Sequence, residues 1–114
     1  MSADCLFCKM AAGAIPVPKV HEDDLVFAIR DINPQAPTHV LVMPVAHVPS
    51  AASLTEADAP MLGRLFAVAA DIARAEGLAD GWRVVSNVGP DGGQSVPHLH
   101  VHLLGGRSMQ WPPG

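Results

Sequence analysis

His98-Leu99-His100-Val101-His102 is the stretch on which the fold turns. Histidine alternates with an aliphatic residue, and a two-residue period is that of a β-strand, where alternate side chains share one face. The pattern predicts a strand from Val96 to Leu104, with the three imidazoles on one face and Leu99, Val101 and Leu103 on the other, against a core. Three imidazoles so close cannot all be charged cheaply, so at least one should stay neutral. Imidazole gains and loses protons near neutral pH, attacks electrophiles and binds metals. An outer polar face or a metal patch would explain one such histidine. Three in alternation, directly after Gly92-Gly93-Gln94-Ser95, favour a reactive site. Glycines there let backbone N–H groups approach an anion, with the Ser95 hydroxyl as a further donor.

Working outward, Gly89 to Gly93 reads as a loop and Trp82 to Asn87 as the strand before it. Residues 55–76 form the one long helix, with Leu62, Leu65, Phe66, Ala69, Ile72 and Ala73 at helical spacing. Pro60 fits only a first turn, so Asp58 is placed as the cap, Thr55 begins a preceding turn, and Gly77 is the stop. Val40–Met43 and Leu25–Ile29 read as two more strands, joined by the turn-rich 31–38. Asp4 caps a short helix over 4–12, ended by Gly13. The tail from Arg107, with Trp111-Pro112-Pro113, is irregular. Strands flank one central helix without βαβ alternation, which predicts an α+β fold with an antiparallel sheet, residues 1–114 forming one domain.

Composition excludes several classes. The chain has 114 residues, a formal charge of −4 and seven Lys and Arg without a basic run, so a nucleic-acid backbone is not the expected partner. No apolar run is long enough to span a bilayer. Met1-Ser2-Ala3-Asp4 lacks the regions of a signal peptide, which points to the cytoplasm and to reduced thiols. Cys5 and Cys8 then read as metal ligands or as reduced core cysteines.

The block Gly93 to His102 resembles the signature of the histidine-triad (HIT) superfamily. Asp31-Ile32-Asn33-Pro34-Gln35-Ala36-Pro37-Thr38-His39 and the tail Gly105 to Gly114 resemble blocks of its Hint branch. The resemblance covers nearly the whole chain. It implies a five-stranded antiparallel sheet with one long and one short helix, a core over 1–106 with a tail over 107–114, and a homodimer that joins two sheets into ten strands, with Trp111 reaching toward the partner's site. It implies a purine nucleoside phosphoramidase, with AMP- and GMP-type nucleotides and their phosphoramidates as ligands. A dinucleoside polyphosphate hydrolase and a nucleotide-binding scaffold with weak hydrolase activity are the alternatives.

Residue by residue, the resemblance makes His100 the nucleophile on the α-phosphorus and gives His102 and Ser95 the phosphate oxygens or the leaving nitrogen. His39 backs the histidine network, or is a buried strand-start histidine. Asp31 takes the ribose hydroxyls, and Asn87 lies by phosphate and ribose. Gly93, Gln94, Ser95 and Val96 line the phosphate. Leu6, Phe7, Ile29 and Ile32 hold the purine, although each could equally be core. Cys5, Cys8, His47 and His98 would bind a structural zinc ion; no organic cofactor is implied.

Overall fold

The computed structural model describes residues 4–114. Its elements are α1 (Leu6–Ala11), β1 (His21–Glu22), β2 (Val26–Arg30), β3 (Thr38–Pro44), α2 (Ala59–Ala75), β4 (Trp82–Ser86), α3 (Gly89–Gly92) and β5 (Val101–Gly105). The strands form one antiparallel sheet in the order β1-β2-β3-β5-β4. The α+β expectation holds.

β3 is central and buried along its whole length, which is why Val40–Met43 reads as an unbroken apolar run. Val40 and Val42 pack under α2 with Val26, Ala28, Val101 and Leu103. Leu41 and Met43 face the other way, onto Phe27, Ile29, Cys5 and Phe7 beneath α1. The sheet thus has a thick apolar layer on one side and a thinner one, carrying the histidines, on the other.

Four expectations are corrected. The α1 cap is Cys5, not Asp4; the Cys5 sulfur accepts the Cys8 N–H at 3.4 Å. The buried face of α2 is Leu65, Val68, Ala69, Ile72 and Ala73, spaced i, i+3, i+4, i+7 and i+8. Phe66 lies one step off that stripe and is 49 % exposed, and Leu62 is half-buried. Gly89–Gly92 is one helical turn, not a loop, closed by Gly93 at φ +80°, a conformation that glycine adopts at little cost.

Finally, the ladder of β5 begins at Val101, not Val96. Pro97 has no N–H to give, and the Leu99 N–H goes to the Val48 carbonyl at 2.6 Å. The Pro44 carbonyl, at the end of β3, accepts from the His98 imidazole at 2.8 Å. Two of the three histidines therefore precede the regular strand. Ahead of α2, Thr55 opens a short 3₁₀ turn (Glu56–Asp58), and the Asp58 carboxylate accepts the Thr55 N–H at 2.9 Å. Gly77, at φ +72°, ends the helix as expected.

Candidate active site

His100 sits where the irregular segment becomes β5. Its ring is buried, and Nδ1–H donates to the His98 carbonyl at 2.7 Å. That bond fixes the tautomer and leaves Nε2 with its lone pair. Phe7 stands edge-on to the ring, centroids 5.1 Å apart, and His102 lies a further 5.1 Å along. Leu99, Val101 and Leu103 are buried. Val101 and Leu103 are in the layer beneath α2, so the division of faces read from the sequence holds although half of the stretch is not ladder.

His39, on β3, meets His102 across the sheet, with His39 Nε2 2.9 Å from His102 Nδ1. His39 Nδ1 accepts the backbone N–H of Gln35 at 3.0 Å. A nitrogen accepting a hydrogen bond carries no proton, so the His39 proton is on Nε2. It donates to His102 Nδ1, and the proton of neutral His102 falls on Nε2. The chain from Gln35 through His39 thus makes His102 a donor at its outer nitrogen. Burial holds the His39 pKa below its ordinary value, with the Asp31 carboxylate opposing. Burial and the neighbouring His100 and His39 hold His102 low as well.

The Asp31 carboxylate lies 3.3 Å from His39 Nε2 and 3.9 Å from His102 Nδ1. Asp31, His39 and His102 have the composition of a two-histidine, one-carboxylate metal site. The Gln35 amide argues against that use, because it leaves His39 Nε2 protonated rather than open to a cation.

A second cluster has the opposite character. The His98 ring is fully buried, its Nε2–H donates to Pro44, and its Nδ1 therefore carries a bare lone pair. Within reach of that lone pair are Cys5 Sγ at 3.3 Å, Cys8 Sγ at 3.5 Å and His47 Nδ1 at 3.3 Å, and Cys8 Sγ lies 3.3 Å from His47 Nδ1. Tetrahedral zinc with ordinary Zn–N and Zn–S lengths has ligand-to-ligand edges of about 3.3–3.8 Å. The four atoms fit such a site, and the Pro44 carbonyl orients the buried imidazole as outer partners of metal ligands do. Burial pushes the His98 pKa down; the Pro44 bond opposes this, and His47 and His100 add to it.

The remaining expected residues are placed as follows. Phe7 and Ile29 are buried, whereas Leu6 is 41 % exposed and Ile32 fully exposed. Asn87 follows β4 and is half-buried, and Ser95 is exposed. Trp111 is 82 % exposed, in a tail tied down by Arg83 to the Gln110 carbonyl at 3.0 Å. His21, given no role from the sequence, pairs with Asp23 at 2.6 Å. A cleft of about 600 Å³ lies elsewhere, lined by Trp82, Arg83 and Arg107 among others and by none of the imidazoles. A nucleophilic His100 calls for a backbone acceptor on its other nitrogen, but the sequence does not say that His98 supplies it, and the Pro44 and Gln35 groups that set the other two tautomers carry no side-chain signal.

The HIT-domain family profile matches residues 12–109. The chain belongs to the HIT family. An uncharacterised HIT-like protein of Synechococcus elongatus is 49 % identical to it over the whole of both chains. A 14 kDa zinc-binding protein of Zea mays is 52 % identical, over 96 % of this chain and 87 % of that one. The crystal structure of a HIT family hydrolase from Legionella pneumophila superposes with a TM-score of 0.94 at 50 % identity, over 96 % of this chain and 99 % of that one. The five-stranded antiparallel sheet described above is thus the HIT fold.

Proposed function

We propose that this HIT protein is a Hint-type phosphoramidase that hydrolyses purine nucleoside 5′-phosphoramidates to the nucleoside monophosphate and an amine. The observation that carries the proposal is the His100 tautomer: Nδ1–H is engaged by the His98 carbonyl, and Nε2 is left as a nucleophile beside an imidazole that donates.

In this reading Nε2 of His100 attacks the α-phosphorus, a P–N(His) bond forms and the P–N bond to the amine breaks. The leaving nitrogen takes a proton from Ser95 or His102. Water then displaces His100 and gives up a proton, and the monophosphate leaves. His102 Nε2–H and the N–H groups of Ser95 and Val96 face the charge that builds on the non-bridging oxygens, those of Gly93 and Gln94 being taken by the Pro90 and Gly89 carbonyls. Asp31 accepts the ribose hydroxyls, and Asn87 adds a contact to ribose or phosphate. The base lies on Ile32 and Leu6, over a floor supplied by Phe7 and Ile29.

Cys5, Cys8, His47 and His98 would hold zinc, which ties α1 to the nucleophile segment, and no organic cofactor takes part. The working form is a cytoplasmic homodimer, with Trp111 reaching the partner's site; neither nucleic acid nor membrane is a partner.

Rapid quench with a phosphorus-labelled adenosine phosphoramidate should trap acid-labile label on the protein. Turnover should exceed that on dinucleoside polyphosphates. A correctly timed quench with no label, or substantial turnover by His100→Ala, would falsify the covalent route.

A further inference from the structure

Gln94 sits between the helical turn α3 and the nucleophile segment, and its carboxamide makes three hydrogen bonds within the chain. Oε1 accepts the Gly89 N–H at 3.1 Å. Nε2 donates one proton to the Pro49 carbonyl at 2.8 Å and the other to the Val96 carbonyl at 3.0 Å. The Gln94 backbone N–H returns to the Gly89 carbonyl at 3.1 Å. One half-buried side chain thus joins the start of α3, the residue two before His98, and the segment that follows His47.

That segment supports the nucleophile at a second point, because the Val48 carbonyl takes the Leu99 N–H. Among the described residues, the N–H groups of Ser95 and Val96 donate to no acceptor in the chain. Both residues follow directly on the braced Gln94, and Ser95 is exposed.

We propose that Gln94 is a positioning residue for the phosphate loop: its carboxamide binds the protein, not the nucleotide, and holds the Ser95 and Val96 amides ready for the α-phosphate. The inference rests on the nucleotide-hydrolase reading above. The chemistry of the brace is specific. Two carbonyl oxygens face Nε2, so the position needs two donors, and a carboxylate would set oxygen against oxygen. A donor group held in advance costs little reorganisation when charge develops, which is where electrostatic stabilisation is worth most. The contribution should therefore appear in phosphate-dependent steps and leave nucleoside binding alone.

The test compares the zinc-loaded wild type with Gln94→Glu and with Gln94→Met, which keeps the length of the side chain and removes its hydrogen bonds. AMP and adenosine affinities, kcat and amide hydrogen exchange are read for each. Both variants should lose at least tenfold in kcat and several-fold in AMP affinity, with adenosine affinity unchanged. The Gly89 amide should exchange faster in Gln94→Met than in the wild type. Equal loss of AMP and adenosine affinity, wild-type AMP affinity in Gln94→Met, or unchanged Gly89 exchange each overturn the proposal. A wild type that binds no AMP and turns over no phosphoramidate overturns the parent reading instead, while the exchange result still decides the brace.

Discussion

At the residue scale, the site is a set of tautomers fixed by backbone groups. His100 is held by its own chain two residues back, His39 by the Gln35 amide, and His98 by Pro44. Only the last leaves a lone pair among thiols, so the proposed division of one side chain into nucleophile, relay and metal ligand follows which nitrogen the backbone occupies. Replacing His100 by Ala should remove turnover by roughly 10⁴-fold or more, as loss of a nucleophile does, while AMP binding through Asp31 and the loop persists. Single-turnover kinetics and calorimetry measure the two separately. Cys8→Ser should lower bound zinc from about one equivalent, the content of a four-ligand structural site, to a small fraction of it. Metal analysis and a melting curve check this; an unchanged zinc content would dismiss the cluster as the site. The sequence marked the side chains of both sets, because His and Cys carry their chemistry in their names. It could not show which nitrogen faced what, since that depends on backbone groups that carry no side-chain signal: the His98 and Pro44 carbonyls and the Gln35 N–H.

At the scale of elements, legibility followed periodicity. β2, β3 and β4 were readable as short apolar runs, and α2 from its spacing. The misassigned α2 face shows the limit: Phe66 and Val68 are both apolar, and only the sheet beneath decides which is buried. The early start given to β5 has a different cause. The alternation at 98–102 is real, but the hydrogen bonds that would make it a ladder are diverted to Val48 and to the His98 ring. The two-residue β1 has no pattern to read; it exists because Asp23 takes the Leu25 and Val26 N–H groups and turns the chain back. Leu65 is fully buried at the centre of the α2 contact. Leu65→Ala should cost about 2–5 kcal/mol. Because Leu65 packs under the face opposite the histidines, kcat per folded molecule should hardly change. Chemical denaturation together with kcat below the unfolding transition would expose any departure.

For the whole molecule, buried histidines set the response to acid. Burial lowers the pKa of His39 and His102 from 6.5 in the folded chain. Around them stand His100 and Asp31, the latter opposing the shift without reversing it. The unfolded chain therefore takes up protons near pH 6.5, before the folded chain does, and protons favour unfolding. Stability from these groups is complete above that pH and is lost as pH falls toward the folded pKa values. The Asp23 carboxyl, where bonds from His21, the Val26 and Leu25 amides and Arg64 outweigh burial, is held far below the usual range, so its contribution persists until strong acid. Melting temperature should thus decline between pH 7 and 5. A flat profile across that interval would contradict the buried-neutral assignment.

The same scale decides where a second copy would sit. The sheet has two edges. β1 is only two residues long, and beside it Arg64 of α2 reaches across to Asp23 at 2.8 Å. β4 is five residues long, with its outer row of backbone groups unpaired in a single chain, the kind of edge that recruits another strand. Successive helical residues turn about 100°, so Phe66 projects from the flank of α2 opposite Arg64, on the β4 side. The exposed Phe66 and Trp82 and the half-buried Leu62 therefore border the long open edge rather than the short one. A two-fold pairing of β4 with its copy would close the edge and cover these side chains at once, and it would join two five-stranded sheets into ten. Phe66→Glu places a charge in that seam and replaces no residue of the buried stripe. It should turn a micromolar dimer into a folded monomer by sedimentation, with the far-ultraviolet spectrum retained. If Phe66→Glu sediments as the wild type does, the seam lies elsewhere.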